Sequence, residues 1–399
     1  MAIHAAASGS YTDVNNALGL CTYGDTLTVP SDTKTWTNTL TITKGISIKG
    51  AGTGLSNITR TGTDGAIFQY NPDATSVATN EIFRVTGFTL NGSSENNLNG
   101  LIGVSNSSIT PISRVIIYNN AFEDCTNGII LGGNIYGVAS SNDFDMISIL
   151  LRGLGINRDS WDNLPLDYGA ASNFYFEDNT IHFSGSISNY FGWVEGGHGG
   201  RYLLRYNTWD MTNTTGFSDY LDMHGNQSLD GALYATMIAE VYGNIWNNGR
   251  AGRLMAERGG RLLMFNNVLN GPTSASWIHV EDEYDDSLSP TTGNKIQHPH
   301  DSYFWNNYSF GQNIIAEIGG YGIIPQPSGI QVTFENTDWW NYTATFDGSV
   351  GIGTGSSAPT MNCTTGVGYW VTSHSPTSSP PTTMADMKIY CQSGKLYRA

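Results

Sequence analysis

Asn120-Ala-Phe122, Asn142-Asp-Phe144, Asn179-Thr-Ile181, Asn207-Thr-Trp209, Asn244-Ile-Trp246, Asn267-Val-Leu269 and, in weaker form, Asn307-Tyr-Ser309 are one phrase returning seven times: a strand ending in Asn, with an apolar residue two places on. A phrase repeated at this kind of interval marks a molecule built from stacked copies of one structural unit. Three residues before the Asn stand Ile117, Phe176, Leu204, Val241, Met264 and Phe304, and five before it stand Val115, Phe174, Tyr202, Ala239, Leu262 and Ser302. Two before it stand Tyr118, Glu177, Arg205, Tyr242, Phe265 and Trp305. A strand with one face buried alternates with period two, so the first two columns are expected to point inward and the third outward. The Asn is expected at the turn, where it tolerates the left-handed backbone while its amide bonds the Asn of the next copy.

Successive copies lie 22, 37, 28, 37, 23 and 40 residues apart. The shortest interval suits one coil of a parallel β-helix, three short strands and three turns. The surplus in the longer copies is expected to leave as loops at about 145–172, 210–236 and 270–300, gathered on one side of the scaffold, which is where function tends to sit. Of 399 residues, 48 are Gly, 13% are charged and 12% aromatic, a balance that favours strands and turns over helices. A solenoid lengthens by adding coils, so the expected organisation is a cap over 1–20, one parallel β-helix over 21–330 and a small C-terminal module over 331–399.

Ser10-Tyr-Thr-Asp-Val-Asn-Asn-Ala-Leu18 reads as a short amphipathic helix able to close the apolar end of such a stack. Gly24-Asp-Thr-Leu-Thr-Val-Pro30, Thr35-Trp-Thr-Asn-Thr-Leu40 and Ile46-Ser-Ile-Lys-Gly-Ala-Gly52 then read as strands of the first coils. Over about residues 8–54 this arrangement resembles the start of the pectate-lyase-like right-handed parallel β-helix superfamily, which implies an all-β right-handed β-helix behind a capping helix. Farther on, Glu335-Asn-Thr-Asp-Trp-Trp340, Gly351-Ile-Gly-Thr-Gly355 and Cys363-Thr-Thr-Gly-Val-Gly-Tyr-Trp370 resemble the end region of uncharacterised β-helix proteins of environmental bacteria and tailed phages. That resemblance implies an extracellular or virion-surface setting, as a tailspike or other virion subunit, with a homotrimer or virion assembly as the expected association.

Met1-Ala-Ile-His-Ala-Ala-Ala has neither a basic n-region nor an apolar core of signal length, and no stretch approaches the ~20 apolar residues of a membrane span. A net charge of -16 argues against nucleic acid, whose backbone is met by Lys and Arg, and against strongly anionic polysaccharides without local compensation. Of four cysteines, Cys363 and Cys391 are placed to staple the tail, and none has zinc-ligand spacing.

Local positive charge gathers at Arg250, Arg253, Arg258 and Arg261, joined by Arg201 and Arg205. Counted back from the Asn, His198, Arg258 and His298 share the ninth place, and Arg201, Arg261 and Asp301 the sixth. With coils ~4.8 Å apart, residues two coils apart would stand about 10 Å apart, the scale of a sugar ring or two. Asp222 and His224 in Tyr220-Leu-Asp-Met-His-Gly225, and Glu257 beside the Arg column, add titratable groups. Asp222, His224, Glu257 and Arg258 are therefore the catalytic candidates, and His198, Arg201, Arg261, His298, Asp301 and Trp305 the substrate-binding ones. A polysaccharide lyase would use the Arg and His groups for charge neutralisation and proton abstraction, and a glycosidase would use a pair of carboxylates. Against both stands a plainer reading, in which Gly-Gly-Arg is a turn whose Arg packs on a neighbour. Glu281-Asp-Glu-Tyr-Asp-Asp286 reads as a solvated loop face, with Ca at Glu281 and Asp282 as the alternative. Tyr118, Tyr242, Phe265 and Trp305 would either stack on sugar rings or lie under loops or a subunit contact. The function expected from all this is recognition of a surface polysaccharide, with depolymerisation by a lyase or glycosidase left open, and a non-catalytic virion structural or adhesin role as the alternative.

Overall fold

The computed structural model describes residues 1–62, 65–93, 100–155, 173–185, 192–213, 221–226, 234–248, 253–270, 277–281, 283, 297–300, 302–305, 307–309, 312–314, 316–318, 333–335 and 338–342, with four short strands beyond residue 350. The fold is all-β and built on long parallel sheets. Twelve strands, from Ile3–Ala5 through Phe174–Glu177, Arg201–Arg205, Ile238–Tyr242 and Arg261–Phe265 to Trp339–Tyr342, form a first ladder. A second sheet of nineteen strands contains two more ladders, which fuse where Ala121–Gly133 and Asp143–Leu154 run unbroken through both. The chain serves the three ladders in rotation: Arg201–Arg205 joins the first, Thr208–Asp210 the second, Leu221–Met223 the third, and Ile238–Tyr242 returns to the first. Gly353–Gly355, Gly368–Val371, Lys388–Gln392 and Lys395–Arg398 pair only with one another in a four-stranded sheet.

The residue three before each Asn is buried as its register requires: Ile117, Phe176, Leu204, Val241, Met264 and Phe304 join one continuous core. Aromatic rings stack from strand to paired strand inside it, Phe122 on Phe144 with centroids 4.5 Å apart and Trp209 on Trp246 at 4.6 Å. Each such side chain, removed from water, is worth roughly 1.5–3 kcal/mol, so the core is deepest where these stacks run. The helix spans Tyr11–Leu20, Ser10 caps it by accepting from the Asp13 N–H, and Val14 and Ala17 close the end of the core.

Most of the outward column is covered. Tyr118 is 36% exposed, but Glu177, Arg205, Tyr242 and Phe265 are each at most 2% exposed, and Tyr242 and Phe265 belong to a second apolar cluster on the far face of the first ladder. Alternation put these residues on the correct face, and that face is itself covered. Arg205 bonds Glu177 at 2.6 Å and the Tyr242 hydroxyl at 3.0 Å while lying over the Tyr175 ring, so burial leaves neither charge unpaired. The Trp305 side chain lies outside the described residues.

The Asn ladder forms, with one correction to its cause. Asn120, Asn142, Asn179, Asn207, Asn244 and Asn267 each donate Nδ2–H to Oδ1 of the Asn one coil on, at 2.9–3.2 Å, and the run ends at Asn307. The left-handed residue is the one before the Asn: Asn119, Ser141, Asp178, Tyr206, Gly243 and Asn266 have φ between 53° and 67°. The Asn is therefore selected by its buried amide, which satisfies backbone groups that the turn would otherwise strand.

The expected loop segments also contain strands. Most of Asp143–Leu154 lies in 145–172, and Leu221–Met223 and Trp277–Val280 lie in 210–236 and 270–300; all three supply the third ladder. Six first-to-second connections, from Tyr118–Ala121 to Phe265–Val268, contain two residues each. From Thr180–His182 onward, connections from second to third ladder contain five to ten residues, and from Asp143–Leu154 onward those from third to first contain three to twenty-one. Surplus chain thus leaves at two corners, one on each side of the third ladder.

Candidate functional site

The third ladder is read most easily from four strands: Val194-Glu-Gly-Gly197, Leu221-Asp-Met-His224, Met255-Ala-Glu-Arg258 and Ile278-His-Val-Glu281. Register pairs Glu195 with Asp222, Asp222 with Ala256, and Ala256 with His279. Val194, Leu221, Met255 and Ile278 lie in the core, so Glu195, Asp222, Ala256 and His279 face away from it. Backbone bonds from His224 N–H to Gly196 O, Arg258 N–H to Met223 O and Glu281 N–H to Glu257 O carry the parallel pattern one residue farther. His224, Arg258 and Glu281 therefore form a second outward row.

These rows meet as a network. Arg258 donates from Nε to Asp222 Oδ1 at 2.9 Å, makes a second bond to Asp222 Oδ2, and donates from Nη1 to Glu283 Oε1 at 2.9 Å. His224 bridges the same two acids, with Nε2 3.3 Å from Asp222 Oδ2 and Nδ1 3.6 Å from Glu283 Oε2. The Gly225 N–H adds a bond to Glu283 at 3.1 Å. The Asp222 and Glu283 side chains are 4% exposed, whereas those of His224 and Arg258 are 20% and 15% exposed, so two carboxylates beneath hold an imidazole and a guanidinium nearer the surface. Burial works against the charge on His224, but Asp222 and the Glu283 bond overcome it and hold the imidazole above its ordinary value. Burial likewise raises Glu283, and the His224 bond and Arg258 charge outweigh it and hold the carboxyl below its ordinary value. Similar pairs continue on either side. Arg152 meets Glu195, Arg253 meets Glu281, and His279 lies 3.3 Å from Glu281 and 3.6 Å from Glu317. From Arg152 to Glu317 the register covers five strand spacings, about 24 Å.

Of the expected catalytic residues, the structure brings together Asp222, His224 and Arg258. Glu257 does not join them: it pairs with Met223 and Val280 in the core-facing column, fully buried. Ser302 Oγ donates to its Oε1, its Oε2 has no partner among the described residues, and burial pushes it well above the usual carboxylate range. Period two places neighbours Ala256 and Glu257 on opposite faces, which proximity in sequence concealed.

The expected Arg column holds in part. Arg201 and Arg261 both pair with Ile238 in the first ladder and are each 9% exposed. His198 does not align with Arg258, whose register partners are His224 and Gly197; three residues separate Gly197 from Arg201, while two separate Arg258 from Arg261. His198 is the extra residue, in left-handed conformation at φ 54°, and counting back from the Asn across corners of unequal length misplaced it. His298 is 7% exposed at the corner between third and first ladders, where its carbonyl lies 2.7 Å from His300 Nδ1. Asp301, Asp282, Arg250 and the Cys363–Cys391 pairing lie outside the described residues. Glu281 and Glu283 are 5% and 3% exposed and engaged by cations, which corrects the expected solvated face. Among the described residues, no group of three or more His, Cys, Asp or Glu is placed to hold a metal ion.

Sequence reasoning missed Glu195, His279, Glu283, Arg152 and Glu317 as members of this face. The signal was present in the four aligned strands, each an apolar residue followed by alternate polar positions, but the third-ladder strands were hidden in apparent loops.

No protein-family model matches the sequence, and no curated protein matches it. Among solved structures, the protein is similar to Geobacillus virus E2 ORF18, at 13% sequence identity and a TM-score of 0.30, over 67% of this chain and 57% of that one. The chain thus spans a little over half the length of that viral protein.

Proposed function

We propose that this chain is a right-handed parallel β-helix protein, extracellular or on a virion surface, that recognises a polysaccharide along the outward face of its third ladder. The observation that carries this reading is the Asp222–His224–Arg258–Glu283 network, in which two partly exposed donors are each fixed by two buried carboxylates. Groups held this way lose little freedom on meeting a ligand, which is the condition for selective polar recognition. The face lies between the two corners where the connections lengthen, and its ~24 Å run suits an extended polymer better than a small molecule.

The electrostatics favour recognition without cleavage. Hydrolysis of a glycosidic bond requires a protonated carboxyl beside an ionised one, and in the network Asp222 and Glu283 are both bonded to Arg258, with neither singled out by its surroundings as the acid. Glu257, which burial holds protonated, faces the core on the other side of its strand. Elimination requires a base, and His224 is held toward its charged form. Incubation with a panel of surface glycans tests this: the protein is expected to retain a glycan in pull-down and release no oligosaccharide, and Arg258→Ala to lose retention. Retention equal in wild type and Arg258→Ala, or release of oligosaccharide that Arg258→Ala and His224→Ala abolish, would sink the reading.

A further inference from the structure

We infer that the glycan recognised on the third-ladder face is uncharged, in contrast to the uronate polymers whose carboxylates an exposed Arg would bind; this rests on the recognition reading above. Among the described residues of this face, each arginine already has a carboxylate: Arg152 has Glu195, Arg253 has Glu281, and Arg258 has both Asp222 and Glu283. The Glu195, Asp222, Glu281 and Glu283 side chains are only 4–5% exposed. A sugar carboxylate would either displace one of them, leaving a buried anion unpaired, or take a remaining N–H beside anions that already neutralise the cation and repel it. A sugar hydroxyl faces no such exchange. It can accept from a remaining guanidinium or imidazole N–H and donate to a spare carboxylate lone pair while every ion pair stays closed. Glu317, 52% exposed, adds an anion at the end of the row, and the net charge of -16 repels polyanions at longer range.

Titration calorimetry of the whole chain against neutral glucans, galactans and mannans, and in parallel against polygalacturonate and alginate, tests the inference. Saturable binding within the neutral set, insensitive to salt, is expected, with no measurable heat from the polyuronates. Preference for a polyuronate, weakening as salt rises, would overturn the charge assignment while leaving glycan recognition standing. Binding to neither set would overturn the recognition reading itself. Two variants probe the cause. Glu195→Gln releases Arg152, and Glu317→Lys adds a cation at an exposed position where misfolding is not a concern. Each is expected to gain about tenfold in polyuronate affinity at low salt, equivalent to ~1.4 kcal/mol. No gain in Glu317→Lys, with its thermal unfolding unchanged, would refute charge matching as the basis of selection.

Discussion

Arg258 is the residue on which the outward network turns, because its guanidinium is bonded to both Asp222 and Glu283. Arg258→Ala leaves two nearly buried carboxylates with only His224 between them, and is expected to cost about 3 kcal/mol, read as a lower midpoint in urea. The pH dependence follows from the signs. His224 stands above its ordinary 6.5 in the folded protein, so its contribution is full below about that pH and is lost as pH rises through the folded value. Glu281 and Glu283 stand below their ordinary 4.5, so their contribution is full above that pH and is lost as pH falls through their folded values. The network therefore stabilises most between about pH 4.5 and 6.5, and urea midpoints followed from acid to alkaline pH should show it; His224→Gln should flatten the alkaline limb and also weaken the acid limb, since the His224 bond helps hold Glu283 down. Glu257 has the opposite sign for an acid. Its raised value costs stability above 4.5, so Glu257→Gln should raise the midpoint at neutral pH, with the gain vanishing in acid.

For the elements, the Asn turn joins the first ladder to the second and carries its own prediction. Asn207 Oδ1 accepts from the N–H and the side chain of Asn179 at 3.0 and 2.9 Å, and its Nδ2–H groups serve Phe176 O, Arg205 O and Asn244 Oδ1. Asn207→Ala strands several buried groups at once and is expected to destabilise by about 3–5 kcal/mol, more than the same change at Asn307, the ladder's last member, when the two variants are compared by chemical denaturation. Gly243→Ala is expected to cost about 1–3 kcal/mol by the same measurement, because φ is 67° and a Cβ would stand 2.7 Å from the Tyr206 ring. These elements also show what sequence could carry. The repeat gave the first and second ladders directly, since Asn punctuates them and their apolar columns alternate cleanly. The third ladder was illegible for a physical reason: its strands follow connections of varying length, and no fixed residue marks their start. Asp222, His224 and Arg258 were still found, by residue type, whereas Glu257 was misjudged because closeness in sequence does not tell one face of a strand from the other. Outward position proved a poor guide to exposure at Glu177 and Arg205, where a second apolar cluster covers the face.

Across the whole molecule, one continuous core runs the length of the ladders while the third ladder turns a row of matched charges outward. Matched buried pairs contribute little net stability compared with apolar side chains of the same shape, so their presence along a single face is better explained by what that face meets than by what it holds together. A crystal structure of the protein with a bound oligosaccharide measures this directly. The account predicts sugar rings lying along the third ladder, with hydroxyls within hydrogen-bond distance of Arg258 and His224 and the bonds of both to Asp222 and Glu283 intact. Sugar bound at another face, or Arg258 turned away from Asp222 to meet it, would contradict the account.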